Sequence, residues 1–506
     1  MVGAQQESAS SYRTALKATV ITGVSSFVVA VTQMIKSKII AVLLGPAGIG
    51  LFGVLGSVAS MVSMLSGFGI NNSGVRQIAK AVSTGDKEVI ARTVYTLRRT
   101  SLALGLLGLL AMVIFCRPLA QASTGSSESA WALALIGLMV FFKSVNDGQA
   151  ALLRGLRRIF ELGALRMIGA VAGTAVSVPL VYFFGAEGIP MAMVAVAGTS
   201  LVASWYFARQ VCIGKPVMSL EHLWVELKEL LALGSAFLLT SVTGSALKFT
   251  TRAIVVHELG MDAAGQYQAA VAFAFIYAEY ILQAMGQDFL PRLTSASGDA
   301  ATSTRLINQQ TQLCLLLATP GLVATVVLAP VLIPLLYSGQ FTESITVLRW
   351  LCLGVLLHFA TWPMLYLLIA NNMRRAYLRF ELGATVYSLG TFWLLTVNGG
   401  LVGAAIAYPV LYIYRYPVMI HLARRAIDFR WSCETKKIIL KSLGAFTLTL
   451  LVVSILPQLW AAIVGTALLV LLGYDSYRNI SARVGVGLGS LMLSRVKRLW
   501  YRRSVR

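Results

Sequence analysis

Charged side chains are scarce in this sequence. Asp, Glu, Lys and Arg make up 12% of its 506 residues, hydrophobic residues make up 57%, and the mean hydropathy is +0.76. Because a typical soluble domain has about 25% charged residues, an ordinary soluble globular protein is excluded. The chain is long enough for roughly a dozen or more membrane-spanning helices of about 20 apolar residues each.

The residue patterns of metal sites and enzyme active sites are also missing. The five cysteines include no CxxC pair and have no histidine at metal-ligand spacing, so we expect them to be small apolar residues inside spans. The sequence has no P-loop for ATP and no HExxH motif. Its connecting segments are too short to fold as a catalytic domain. These absences favour a transporter over an enzyme and predict no cofactor.

Apolar segments recur along the chain at the length that a bilayer requires. They lie near residues 18–43, 50–75, 100–116, 130–152, 163–184, 188–208, 231–256, 264–290, 312–337, 345–370, 380–397, 401–421, 439–456 and 458–474. This pattern predicts an all-α polytopic membrane protein with about fourteen transmembrane helices. A count of twelve would follow if the pair at 439–474 lay on the membrane surface.

The net charge of +22 lies mostly in alternate connecting segments. Segments such as 76–99 and 424–437 are basic, whereas 44–48 and 398–400 contain no Lys or Arg, and Arg117 is the exception in that second set. The positive-inside rule places the basic segments in the cytoplasm. Both termini then lie in the cytoplasm, which requires an even number of spans. Because topology accounts for the charge, no nucleic-acid partner is expected.

The sequence repeats itself at an offset of about 215 residues. The offset relates Gly45 to Gly260, Gly185 to Gly400, and Gly188 to Gly403. It predicts two six-helix lobes in the same orientation, with a C-terminal hairpin that has no partner in the repeat. The predicted bounds are 1–215 for the N-lobe, 216–432 for the C-lobe, and 433–506 for the hairpin of helices 13 and 14 with a basic amphipathic tail. In transporters with such repeats the substrate site lies between the repeats.

Polar groups inside the spans indicate the cargo, because each is costly at bilayer depth and usually faces a cavity. The candidate cavity cations are Lys36, Lys38, Lys248, Arg252, Arg166 and Arg349. Lys248 and Arg252 share one helix face. Snorkelling or pairing with a neighbour is the alternative for each cation. Because cations outnumber carboxylates in the spans and arginine binds phosphate through two oxygens, the pattern predicts an anionic cargo.

Carboxylates and helix breakers supply the remaining candidate residues. Asp147 lies four residues after Lys143 and is expected to pair with it, and Asp147 and Glu279 are candidates for ion coupling. The helix-breaking Gly45-Pro46 and Gly260 turns are expected to close the external ends of paired spans and form an outer gate.

Residues 36–80 resemble the N-terminal signature of a known family. The runs KIIAVLLGPAGIGL at 38–51 and GFGINNSGV at 67–75 resemble bacterial polysaccharide flippases of the O-antigen and lipid III type, in the MOP exporter superfamily. The similarity extends over about residues 15–425. It implies a MATE-like fold with two six-helix lobes around a central cavity, working by alternating access.

The resemblance also implies a cargo and a location. The cargo would be an undecaprenyl-pyrophosphate-linked oligosaccharide (an O-antigen, exopolysaccharide or common-antigen repeat unit) moved from the inner to the outer leaflet of the bacterial inner membrane. The phospholipid membrane is the expected surrounding, and a glycan polymerase complex is a further partner to test. We expect a monomer, because the two lobes already supply both sides of the pathway.

Two alternatives stay open. The C-terminal extension departs from the family. With it, the chain has about fourteen spans, a count similar to that of lipid II flippases. A peptidoglycan precursor is therefore a second possible cargo. A multidrug or cation exporter of the same fold would require carboxylates in the N-lobe cavity, where this sequence has mainly bases.

Overall fold

The computed structural model describes residues 2–211 and 220–484, and this part of the chain is almost entirely helical, with no strand in it. Its helices are α1 (Val2–Gly67), α2 (Ile70–Thr84), α3 (Lys87–Ile114), α4 (Cys116–Thr124), α5 (Ala130–Gly155), α6 (Ile159–Phe184), α7 (Gly188–Arg209), α8 (Leu220–Ser295), α9 (Ala300–Leu336), α10 (Thr342–Ala370), α11 (Arg374–Ile427), α12 (Cys433–Ile455) and α13 (Gln458–Val484). Short 3₁₀ turns lie at Ser127–Ser129 and Gly185–Glu187. The predicted tail at 491–506 lies outside the described residues.

Ten helical segments within the described residues are long and apolar enough to cross a membrane, which makes the chain a multi-pass membrane protein as predicted. Four of them are 47 to 55 residues long: Ile21–Gly67, Ile159–Arg209, Ser241–Ser295 and Arg374–Ile427. At about 1.5 Å per residue each would extend roughly 70–80 Å if straight, more than twice a hydrocarbon core of about 30 Å. Each of the four must therefore bend.

A glycine breaks each of these four segments. The backbone angles (φ, ψ) are 63° and −160° at Gly45, 56° and −132° at Gly185, 89° and 175° at Gly260, and 58° and −143° at Gly400. This region of backbone conformation is in practice open only to glycine. The breaks recur at the offset of 215 that the sequence predicts.

Contacts across the breaks show that the chain reverses at each one. The Lys36 ammonium lies 4.8 Å from the centre of the Phe52 ring, although 16 residues of straight helix would separate them by about 24 Å. A hydrogen bond likewise joins Arg252 and Gln268 across Gly260. Arg415 pairs with Glu381 across Gly400, and Gly173 packs on Thr199 across Gly185. Each break therefore forms a helical hairpin, and we call its halves the first and second arms.

Smaller features recur at the same offset. An added Cβ would lie 2.2 Å from the Leu180 carbonyl oxygen at Gly188, and 1.9 Å from the Leu395 carbonyl oxygen at Gly403. Arg157 and Asn372 both have positive φ, at 56° and 54°. The internal repeat is therefore present in the backbone as well as in the sequence.

Aspartates cap corresponding helices on the basic side of both repeats. Asp86 accepts a hydrogen bond from the Glu88 N–H at 2.8 Å at the start of α3. Asp299 accepts from the Thr302 hydroxyl at 2.6 Å and from the Thr302 N–H at 3.1 Å, ahead of α9. These bonds hold the pKa of the Asp299 carboxyl below its ordinary value, the hydroxyl bond contributing most. Each follows a positive-φ glycine, Gly85 or Gly298.

The chain divides into two compact units. The first comprises Met1–Gln268 with Leu335–Phe341, and the second comprises Ala269–Pro334 with Thr342–Arg506. In the first, Leu55 and Val58 of α1 pack with Leu133, Ile136 and Val140 of α5 in a core of fully buried side chains. The lobe bounds at 215 and 432 stay a prediction.

The predicted apolar segment at 50–75 is wrong at its end. Helix α1 stops at Gly67, and Phe68 and Gly69 take left-handed backbone angles (φ of 45° and 64°). The chain then restarts as α2, whose buried residues include Ile70 and Ile78 and whose other face is polar. The hydropathy of residues 50–75 gave no indication of this turn.

A polar network joins the C-terminal hairpin to α9 within the second unit. The Gln312 amide of α9 donates to the Thr435 hydroxyl of α12 at 2.7 Å and accepts from the Arg483 guanidinium of α13. Asn308 of α9 accepts from the Ser432 N–H at 2.9 Å. Because Asn308 and Gln312 are buried, these bonds satisfy groups that would otherwise be costly to bury.

Candidate functional site

Lys36, on the first arm of α1, is the most deeply buried of the predicted cavity cations whose side chains the structure describes. Its side chain is 6% exposed. Among the described residues no carboxylate lies within ion-pair distance of its ammonium group. The ammonium lies over the Phe52 ring, whose face attracts the charge. A buried cation with an aromatic face and no counter-ion favours an anionic ligand.

Arg252, on the first arm of α8, is held by a neutral amide. Its Nε donates to Oε1 of Gln268 at 2.9 Å. A Cβ on Gly53 would lie 3.0 Å from Cγ of Gln268, so the glycine leaves room for this amide. In the described part of the chain the two terminal amino groups of Arg252 have no hydrogen-bond partner and no carboxylate in reach. The Arg252 guanidinium is thus held in one orientation, and its two terminal amino groups remain available to bind a ligand.

Phe52 and Gly53 link the two cations, because they are consecutive on the second arm of α1. One contacts Lys36, and the other contacts the amide that holds Arg252. Lys248 lies one turn before Arg252 and is exposed, while the adjacent Phe249 packs against the core that contains Phe52. The structure therefore brings Lys36 and Arg252 to the same level of α1 within the first unit. We call Lys36, Phe52, Arg252 and Gln268 the cationic site.

The other predicted cations have different surroundings. Lys38 is half-buried and has an interaction partner, and Arg166 is exposed on α6. Arg349 is half-buried in the second unit, and its Nε is buried without a hydrogen-bond partner among the described residues. Among the described residues, Lys36 is the cation that lies over the Phe52 ring.

The two carboxylates predicted for ion coupling also differ. Asp147 accepts from the Lys143 ammonium at 2.7 Å, which is the ion pair that the sequence predicts. Glu279 is exposed on the second arm of α8, in the second unit.

The predicted gate residues lie at a close contact of glycines. A Cβ on Gly50 would lie 2.3 Å from the Met261 carbonyl oxygen, and one on Gly265 would lie 1.8 Å from the Pro46 carbonyl oxygen. The repeat offset exchanges Gly50 with Gly265 and Pro46 with Met261, so the contact maps onto itself like an isologous interface. Gly45 lies beside this contact, where a Cβ would be 2.7 Å from Oε1 of Gln340.

Sequence reasoning missed Phe52, Gln268 and a half-buried ion pair of the second unit. Arg415 donates to Glu381 at 2.5 Å across the Gly400 break, and its guanidinium lies over the Phe380 ring. The hairpin geometry carried a usable signal, since positions at similar distances on either side of a breaking glycine meet. Gly53 and Gln268 are also repeat mates at the offset of 215.

Comparisons with known proteins agree with this geometry. Over 407 residues the chain is 24% identical to the lipid III flippase of Escherichia coli (strain K12), covering 78% of this chain and 95% of that protein. The lipid II flippase MurJ in an inward closed conformation matches with a TM-score of 0.66 at 13% identity, over 92% of this chain and 99% of that one. An inward-facing multidrug resistance MATE transporter of the MOP superfamily matches with a TM-score of 0.65 at 15% identity, over 81% and 99%.

The two structural likenesses show the fold, which this chain shares with MurJ and with the MATE transporter. The relative and both structures are described as flippases or transporters, in agreement with the preference for a transporter over an enzyme. The model of the family described as polysaccharide biosynthesis protein matches residues 39–346. That match spans more than half of the chain, and the chain therefore belongs to the polysaccharide biosynthesis protein family, as the signature at 36–80 indicated.

Proposed function

We propose that this protein is a flippase for lipid-linked glycans. It moves an undecaprenyl-pyrophosphate-linked oligosaccharide (an O-antigen, exopolysaccharide or common-antigen repeat unit) from the inner to the outer leaflet of the bacterial inner membrane. The observation that carries the proposal is the cationic site, where Lys36 and Arg252 are held without a carboxylate partner in the described residues. Family membership and the lipid III flippase of Escherichia coli support the same cargo class.

The pyrophosphate supplies the charge that the cationic site lacks. Arg252 binds two phosphate oxygens through its free fork, Lys36 adds a point charge, and exposed Lys248 meets the arriving group one helical turn away. Their low-dielectric surroundings strengthen each interaction relative to water. The polyprenyl tail stays in lipid, since its transfer to water would be unfavourable.

Transport by alternating access requires complete spans and a gate. Counting each of the four glycine-broken segments as two spans gives fourteen crossings. We place both termini in the cytoplasm and take a monomer as the working unit. The contact between Gly50 and Gly265, beside the Gly45-Pro46 and Gly260 turns, acts as the outer gate.

A lipid II-type precursor is the second candidate cargo. It is favoured by the match to MurJ over 92% of this chain, a larger share than the MATE transporter covers. A multidrug or cation exporter is less favoured, because the cationic site presents bases and not carboxylates.

The decisive experiment replaces Lys248 and Arg252 together with Ala and measures glycan display on the cell surface alongside protein abundance. Display should be abolished while abundance is unchanged. The matched control replaces Arg76 and Lys80, an exposed pair with the same spacing and charge on α2. Normal display in the Lys248/Arg252 variant would contradict the site assignment.

A translocation assay with purified protein in liposomes separates the cargoes. Undecaprenyl-pyrophosphate-linked glycans and lipid II are offered to the same preparation, and appearance in the opposite leaflet is followed. Transport of neither lipid by a folded preparation would contradict the flippase assignment itself.

A further inference from the structure

A polar cavity of about 230 Å³ lies within the first unit, apart from the cationic site. It is formed by the end of α1, the start of α2, and parts of α3, α5 and the first arm of α8. Its hydroxyl groups belong to Ser60, Ser63, Ser101, Ser144 and Ser245, and the Lys143–Asp147 ion pair and Asn71 complete its polar lining. We call this space the serine cavity.

Two hydroxyls of the serine cavity lack partners. The Oγ atoms of Ser63 and Ser101 are buried and have no hydrogen bond to any residue that the structure describes, and Ser101 as a whole is 2% exposed. Other serines of α1 differ: Ser57 donates to the Val54 carbonyl at 2.7 Å. A buried hydroxyl without a partner is unfavourable. The cavity therefore contains hydroxyl groups whose hydrogen-bonding capacity its own lining does not satisfy.

The residues around the serine cavity hold its polar groups in position. A Cβ on Gly148 would lie 2.2 Å from the Ser101 Oγ, so only glycine leaves that hydroxyl in position. The Lys143 and Asp147 side chains are 44% and 31% exposed, and their pair presents both a donor and an acceptor. The lining carries no excess of positive charge, because this pair is neutral overall. Its chemistry suits a neutral ligand rich in hydroxyl or amide groups.

The serine cavity and the cationic site share the same two helical arms. Ser60 lies seven residues beyond Gly53 on α1, and Ser245 lies seven residues before Arg252 on α8, a rise of about 10 Å in each case. The arms run antiparallel, since Gly69 packs on the Gly234 carbonyl while Phe249 packs on the core around Leu55. Both displacements therefore point the same way, toward the basic α2.

We infer that the serine cavity binds the sugar joined directly to the pyrophosphate of the cargo, an assignment that rests on the proposed function. With the pyrophosphate at Arg252, the first ring extends along the arms into the cavity. Ring hydroxyls both donate and accept, so they satisfy Ser63 and Ser101 and contact the Lys143–Asp147 pair. The volume is below the roughly 300–1,000 Å³ of drug-sized pockets, which suits a single ring. The cavity thus determines specificity, while the cationic site supplies affinity common to all cargoes.

The test measures binding to purified protein in nanodiscs. The probes are bare undecaprenyl pyrophosphate and the same lipid carrying one N-acetylglucosamine, glucose or galactose. Wild type should bind at least one sugar-linked probe more tightly than the bare lipid. Replacing Ser63 and Ser101 with Ala should weaken the binding of that probe by about 25-fold, because each lost hydrogen bond lowers the affinity by about fivefold. Binding of bare undecaprenyl pyrophosphate should be unchanged, which also verifies that the variant is folded.

Ser57→Ala is the matched control, because it removes a buried hydroxyl of α1 that bonds to its own helix. It should bind every probe as wild type does. If wild type binds the bare lipid but gains nothing from any sugar, the serine cavity assignment is wrong and the proposed function stands. If wild type binds none of the four probes, the proposed function fails as well. A double variant that keeps the full sugar preference would also overturn the assignment.

Discussion

Replacing Lys36 with Met should make the protein more stable and inactive at once. Lys36 is 6% exposed, and within the described residues its ammonium group has an aromatic ring but no carboxylate beside it. Methionine has nearly the same length and fills the same space without a charge. The substitution therefore separates the contribution of the charge from that of packing.

The expected gain in stability follows from two opposing contributions. A charged side chain at membrane depth is disfavoured by about 2.5–3.5 kcal/mol on insertion scales. Contact with the Phe52 face recovers up to about 2 kcal/mol. Lys36→Met should then raise the free energy of unfolding by about 1 kcal/mol, which corresponds to roughly 1–2 °C in Tm for a chain of this length.

Two assays are run on the same preparation. Thermal unfolding in detergent gives the Tm, and translocation of an undecaprenyl-pyrophosphate-linked glycan in liposomes gives activity. Lys36→Arg is the control, since it keeps the charge beside Phe52 and should retain transport. A Lys36→Met protein that transports normally, or that unfolds at lower temperature than wild type, would refute the reasoning.

Three further predictions concern packing and orientation. Gly265→Ala should reduce the free energy of unfolding by about 3 kcal/mol or more, because the added Cβ clashes with a backbone oxygen. Gly244→Ala is the control, since Gly244 has no neighbour within 4 Å, and it should leave the Tm unchanged or raise it. Thermal unfolding compares the two variants. Gln268→Glu should pair with Arg252 and weaken pyrophosphate binding by at least tenfold, more than Gln268→Leu does, as measured with bare undecaprenyl pyrophosphate. Gln312→Leu should detach the C-terminal hairpin by removing its hydrogen bonds to α12 and α13, with a loss of about 2–3 kcal/mol that limited proteolysis detects.

The architecture was largely predictable because few residues can do what it requires. Only glycine takes the backbone angles at Gly45 and Gly260 readily, so an offset between glycines translated directly into an offset between hairpins. Hydropathy located the spans because the bilayer core tolerates few residues other than apolar ones. The turn at Phe68 and Gly69 escaped because hydropathy is insensitive to a local reversal of backbone angles.

The candidate site was predictable in residue type but not in arrangement. Sequence indicated which spans carry cations, yet it did not separate the buried Lys36 from the exposed Lys248. In a helix that is apolar on all sides, the pattern does not reveal which face meets protein. The contacts of Arg252 with Gln268 and of Lys36 with Phe52 depend on how arms fold against each other, which no local pattern records.

The C-terminal hairpin has become a structural requirement of the helix that it packs against. Without α12 and α13, Gln312 would lose its hydroxyl and guanidinium partners, and Asn308 would lose its contact with the Ser432 N–H. The Gln312 amide would then lack these partners, whereas the Asn308 amide would still donate to the Thr304 carbonyl of α9. A shortened chain ending at Ile427 would therefore not behave as a minimal twelve-helix transporter.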